Sequence, residues 1–419
     1  MKRLQRNLTS WLKVLSLSLT FGSFPKHLNA HTTPKIENTS ETISSGLWTA
    51  INSQLMLTDW AFQRQTAWQI QEWLFTPQAK TPQLPLWQEW FDRDDLKHIF
   101  FDLYGNLSSK ARRERQVFPP ATIESAIERF VSHRSPQSES LLRAQILAQN
   151  PRLTHILINR QALRTLLLHY AELDQCYRLP DTETCPSWVF PEGSAWLKSA
   201  WRRFGQDFTI PGFSTDASDF LRQQSSPSWM SDHTLDPQKL DVFTLSQSSE
   251  VKFALVGLHL MLKRSHDWLW TSLWLDQSKH QGFAADAPSS RFLSQYRLCS
   301  VLGFQSPLQV SSVPEQHPLK ALADTLHQLD NPQWCSNPYL ELGPNNQKTQ
   351  CVGCHQFAGQ NQTQADLAQL LQKDPDALIR ESSDQGPTDF VWSLVKGPQP
   401  FALSITEGIE YFDAYDPYP

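Results

Sequence analysis

The 419-residue sequence predicts an α+β fold, with a helical N-terminal part, central antiparallel β segments and an irregular C-terminal segment. Three observations carry that expectation. From Gly46 to Ser135, Trp60, Trp68 and Trp73 recur among polar residues, and Pro119-Pro120 precedes Ala121 to Ile127 as a helix start. Arg152 to Asn159 alternates well enough for a strand. Val251 to Lys263 and Trp268 to Trp274 are apolar runs split by polar residues Arg264 to Asp267, as in a β-hairpin.

Taken in order, the chain opens with Lys2, Arg3, Arg6 and Lys13, followed by an apolar run from Val14 to Phe24. That run is too short to span a bilayer. Leu28-Asn29-Ala30 supplies residues suited to cleavage, so 1–30 reads as a secretory signal peptide removed near Ala30. The alternative, an amphipathic first helix, would be ended abruptly by Pro25. No cysteine marks a lipid anchor, and no later run is apolar enough for a transmembrane helix. The mature protein is therefore expected to be soluble, and periplasmic or secreted.

Residues 31–45 are polar and read as a mobile N-terminus, and 46–149 as a mainly helical region. Its tryptophans are read as packing residues. An α+β core is expected over 150–330. Asn159 can cap a helix from Arg160 to about Cys176. Phe190 to Ser194 reads as a turn, Ala195 to Arg202 as strand or helix, and 213–250 as a long polar surface loop. If 251–274 is a hairpin, Leu255, Gly257, His259 and Met261 share one strand face. Trp268, Trp270, Ser272 and Trp274 share a face of the adjacent strand, although a buried helix pair fits the periodicity too.

The charge balance gives no sign of a nucleic-acid partner. Removing the five leader cations leaves 32 Lys and Arg against 42 Asp and Glu, a net charge of −10 without a clustered basic surface. An acidic surface of this kind can steer a basic redox partner protein.

Cys351-Val352-Gly353-Cys354-His355 is the attachment signature of c-type haem. Two thiols at this spacing can bond the two vinyl groups of one porphyrin. The following histidine then serves as proximal iron ligand. Two rival readings are a disulfide or redox pair at Cys351 and Cys354 and a zinc site, for which one CxxC and one histidine leave the tetrahedron incomplete. The segment 331–419 is accordingly read as the haem-attachment segment, holding one covalent haem c. Four cysteines remain, Cys176, Cys185, Cys299 and Cys335, an even number suited to an oxidising compartment. Cys176 and Cys185 bracket a short Pro- and Asp-containing loop, which leaves Cys299 to pair with Cys335. Three connectivities are open to four cysteines, and free buried thiols are the other reading.

Several phrases resemble a family of exported, functionally uncharacterised bacterial proteins with one late c-type haem motif. They are Phe190-Pro191-x-Gly193-Ser194, Lys198-x-x-Trp201-Arg202, Gly257-x-His259, Trp268-x-Trp270-x-Ser272, Cys335-x-Asn337-Pro338 and Cys351-x-x-Cys354-His355. The resemblance spans about residues 150 to 400 and implies a haem protein without implying a substrate. The order of these features is also similar to β-sheet cytochromes that oxidise hydroxylamine through a haem cross-linked to lysine, with nitric-oxide-binding relatives. That likeness implies a position for Lys198 near the cross-link; a solvated or ion-paired lysine is the plainer reading.

No methionine and no histidine follows His355. A small electron-carrying cytochrome usually draws its sixth ligand from downstream of the motif, so here a protein ligand must come from upstream. His259, inside the apolar run, leads, with Met261 and His266 behind it and an open iron as the alternative. A hydrogen-bonded core histidine is the plainer reading of His259. No GxSxG, HExxH or P-loop pattern is present. Asp389 to Trp392 and the acidic, aromatic Glu407 to Asp413 read as packing and surface. Three functions stay open: electron transfer in the periplasm, oxidoreduction or gas binding at an open iron, and a secreted non-haem binding protein.

Overall fold

The computed structural model describes residues 60–76, 85–134, 152–179, 185, 189–205, 208–213, 229, 231, 233–236, 244–246, 252–264, 267–276, 293–302, 337–341, 355, 391, 394 and 400–415. All of these lie in one compact unit, 38–419. The leader expected over 1–30, and Met56, Met230, His266, Cys335, Cys351, Cys354, Asp389 and Trp392, lie outside the described residues.

The fold is α+β, as the patterning predicts. Helices α1 (Trp60–Leu74), α2 (Arg93–Gly105), α3 (Ser109–Arg113) and α4 (Pro120–His133) come first. Strand β1 (Arg152–Ile158), helices α5 (Arg160–Leu168) and α6 (Tyr170–Arg178), and strand β2 (Ala195–Phe204) follow. Short strands β3 (Ile210–Gly212), β4 (His233–Leu235) and β5 (Thr244–Ser246) precede the long strands β6 (Lys252–Arg264) and β7 (Asp267–Leu275). Strand β8 (Tyr296–Leu302) and helix α7 (Phe401–Tyr415) complete the described elements.

Local chemistry explains the boundaries. Asp92 and Asp95 form a reciprocal capping box at the start of α2. Pro120 opens α4, where a missing N–H costs nothing. Asn159 does more than cap α5. Its Oδ1 accepts from the Ala162 and Ala195 N–H groups, each at 3.0 Å, and its Nδ2 donates to the Gly193 carbonyl at 2.7 Å. One side chain thus fixes the helix start, the start of β2 and the preceding turn. Gly193 needs its glycine there, since its φ is +91°.

Strands β1, β2, β6, β7 and β8 form an antiparallel sheet in that order, with β5 beside β6. The segment 195–202, open to either reading in the sequence, is strand, and 251–274 is the expected hairpin. A bulge interrupts the β2–β6 register: Ala200 faces Gly257 but Trp201 faces Leu255, leaving Val256 as the extra residue. The helix expected from Arg160 breaks at His169 into α5 and α6. The stretch 213–250 contains β4 and β5, and the acidic aromatic tail is the helix α7.

The sheet is covered on both faces. On one, Ala67, Trp68, Ile70 and Leu74 of α1 pack with Leu197, Leu258, Leu260, Leu269 and Leu273. Gln71 donates to the Thr271 hydroxyl across that interface at 2.7 Å. On the other face, α2, α4, α5, α6 and α7 share a core with Trp196, Met261, Trp268 and Trp270. The Trp196 and Phe401 rings meet edge to face at 5.0 Å, seating the start of α7 on the sheet. Cys176 and Cys185 form the expected disulfide, with their Cα atoms 4.9 Å apart.

Candidate functional site

The residues singled out by the sequence converge on the second sheet face. Antiparallel register aligns Lys198 of β2, His259 of β6, Ser272 of β7 and Cys299 of β8 in one row across four strands. The neighbouring row holds Trp196, Met261, Trp270 and Val301. Register partners project to the same face, so two short rows collect the chemistry-bearing side chains.

His355 lies against these rows. Its ring centroid is 6.3 Å from that of His259, with the planes within 18° of parallel. It also meets Trp270 nearly edge to face at 4.6 Å. His259 is buried, at 6 % exposure, and neither ring nitrogen has a hydrogen-bond partner among the described residues. An unsatisfied buried polar group costs about 1–3 kcal/mol, so this imidazole is unusual for a core residue. Burial chiefly, with the charges of His355 and Lys198 adding to it, holds its pKa well below the ordinary histidine value. The ring is therefore neutral and keeps one nitrogen lone pair. Lys198 is partly exposed; burial lowers its pKa, and the charge of Glu341 opposes that shift.

A turn at 337–341 closes this region, and no site role for its residues was legible in the sequence. The Asn337 side-chain amide donates to Ser272 Oγ at 2.9 Å and to the Leu273 carbonyl at 2.7 Å. Its Oδ1 accepts from the Tyr339 N–H at 3.0 Å. The Leu340 and Glu341 N–H groups both donate to the Asn337 carbonyl. The Asn337 N–H donates in turn to Glu341 Oε2, while Glu341 Oε1 lies 3.8 Å from His259 Nδ1. Gly257 makes this close approach feasible. A Cβ there would fall 3.1 and 3.2 Å from the Asn337 amide.

The other phrases also have structural explanations. Phe190 packs edge to face with Trp196 and Trp268. The Gly193 N–H donates to the Lys263 carbonyl, and the Lys263 N–H to the Ser194 carbonyl, tying that turn to the end of β6. Trp201 Nε1 donates to Ser199 Oγ at 2.9 Å, and Arg202 donates to the Tyr339 carbonyl at 3.2 Å. Cys299 is disulfide-bonded, to a residue outside the described ones.

Among the described residues no group of three or more His, Cys, Asp or Glu side chains could hold a bare metal ion. What the face offers is a pair of imidazoles, one of them buried with open nitrogens. Such a pair suits an iron whose other ligands are brought by a porphyrin. Among the described residues, no helix is long and apolar enough to cross a membrane. No family model, curated protein or solved structure matches the chain.

Proposed function

We propose that this chain is an exported c-type haem protein that passes electrons to or from a partner protein. Cys351 and Cys354 would hold the haem covalently, His355 would bind its iron from one side and His259 from the other. One observation supports this reading above the rest: the motif's histidine lies beside a buried, neutral histidine with neither nitrogen satisfied. Haem supplies a one-electron iron couple whose potential follows its axial ligands and burial.

The chain's own residues do the rest. His259, held neutral by burial, offers a lone pair. Met261, Trp270 and Trp196, all buried, line that face with apolar surface and exclude water. Low polarity around an iron site shifts its potential and shields it from side reactions. The resemblance stated above and the leader expected over 1–30 support an oxidising compartment for this work, where the thioether bonds and the disulfides can form.

Lys198 favours a second reading. It faces His259 across the β2–β6 ladder, and burial lowers its pKa. In the hydroxylamine-oxidising cytochromes that the chain resembles, a lysine is bonded to the haem, and the iron is open for a small molecule. Carbon monoxide added to the reduced protein separates the readings. Electron transfer through two histidine ligands predicts an unchanged visible spectrum, whereas a prompt Soret shift favours the open iron.

A further inference from the structure

Resting on the haem reading above, we propose that Glu341 is the positioning residue of His259: it accepts a hydrogen bond from the Nδ1–H and leaves Nε2 as the nitrogen presented for ligation. Histidines that bind metals usually donate their other ring N–H to a carboxylate or carbonyl, which fixes the tautomer and the ring orientation. Among the described residues, the carboxylate at His259 Nδ1 is that of Glu341, with Oε1 at 3.8 Å. That separation is longer than a hydrogen bond. Under the proposal the two groups close this gap in the haem-loaded protein.

Glu341 is held for this task. Its other oxygen, Oε2, accepts from the Asn337 N–H, and its own N–H donates to the Asn337 carbonyl at 2.8 Å. Asn337 is fully buried and locked to Ser272 and Leu273, the register partners of His259 and Leu258 on β7. The carboxylate and the imidazole are therefore set by one rigid unit, for which Gly257 leaves the room. The carboxylate remains partly accessible, its side chain 24 % exposed, while the His259 side chain is 8 % exposed. The role proposed for Glu341 is therefore to act through His259.

The test is a nitrogen–proton correlation spectrum of the full mature chain with labelled histidine, reduced under carbon monoxide. Ferrous iron is diamagnetic under those conditions whether the gas binds or a second protein ligand stays. The His259 signals are assigned by their loss in H259Q. Wild type is expected to show His259 protonated at Nδ1. E341A should take the Nδ1 proton out of its hydrogen bond, moving its proton shift upfield and speeding its exchange with solvent, and E341Q, whose amide oxygen can still accept, should restore both. The reduction potential should shift in E341A and less in E341Q. A wild-type His259 protonated at Nε2, or an Nδ1–H shift and exchange rate indifferent to E341A and E341Q alike, overturns the proposal. A colourless protein would defeat the haem reading alone, because the tautomer is still read from the same spectrum.

Discussion

His259 and His355 stand with near-parallel rings 6.3 Å apart, brought together from the middle of β6 and from the CxxCH motif. The account predicts that this pair brackets one iron. Replacing His259 with Ala should then convert a six-coordinate, low-spin spectrum into a high-spin one that binds carbon monoxide. An H259A spectrum identical to wild type would remove His259 from the coordination shell. K198A serves as the companion variant, since it sits on the same row and should leave the spin state unchanged under the electron-transfer reading.

Gly257 should not tolerate even one added carbon. In G257A the new Cβ meets an Asn337 side chain that two hydrogen bonds and a buried turn hold in place. Overpacking a fixed neighbour costs about 1–3 kcal/mol. Thermal melts of G257A should show that loss. The double variant G257A/N337A should lose less than the sum of the two single changes, because the clash and the bonds share one partner. Full additivity would mean that the turn and β6 are not coupled.

The acid limit of stability should owe something to Glu124. Its burial raises the carboxyl pKa, but hydrogen bonds and charges from Arg164 and Arg160 outweigh that and hold it below the ordinary value. A depressed folded pKa gives stability that is present above the unfolded value and lost as pH falls through the folded one. The melting-temperature gap between wild type and E124Q should therefore be full near neutral pH. It should close below about pH 4, where the unfolded carboxyl protonates. A gap independent of pH would contradict the assignment. The carboxylate is about a third exposed, so the effect is modest.

Disulfide mapping addresses the same face from another side. Cys176 linked to Cys185 is expected directly from the structure. Cys299 is bonded too, and its register partner Ser272 carries the Asn337 amide, two residues beyond Cys335 in the chain. A non-reduced digest should contain Cys299 linked to Cys335. Linkage of Cys299 to Cys351 or Cys354 would take a thiol away from the haem and contradict the central reading.

What the sequence showed and what it hid follow from the range of the interactions. The β6–β7 hairpin was legible because both strands are apolar runs split by polar residues, and period-two spacing put His259 with Met261 and Trp270 with Ser272. The pairing of Lys198 with His259 was not legible, since register across β2 and β6 depends on the bulge at Val256. Asn337 acts on a strand 65 residues earlier in the chain and Glu341 on one further back still; Asn337 was marked only by the resemblance, and nothing local announced Glu341. Helix α7 did leave a trace. Phe401, Ile405, Ile409 and Phe412 recur at helical spacing, but the acidic residues between them read as surface. Those acids do lie at the surface, and they are ion-paired there, Glu407 with Lys97 at 2.7 Å and Glu410 with Arg178 at 3.0 Å.

The measurement closest to the central claim is the visible spectrum of the mature chain, made in a host with c-haem maturation and recorded after denaturation and acid–acetone extraction. The account predicts that haem absorbance stays with the polypeptide, and that C351A/C354A releases it or never acquires it. A colourless wild-type protein, or haem that extracts freely from it, would contradict the account and leave Cys351 and Cys354 to a disulfide.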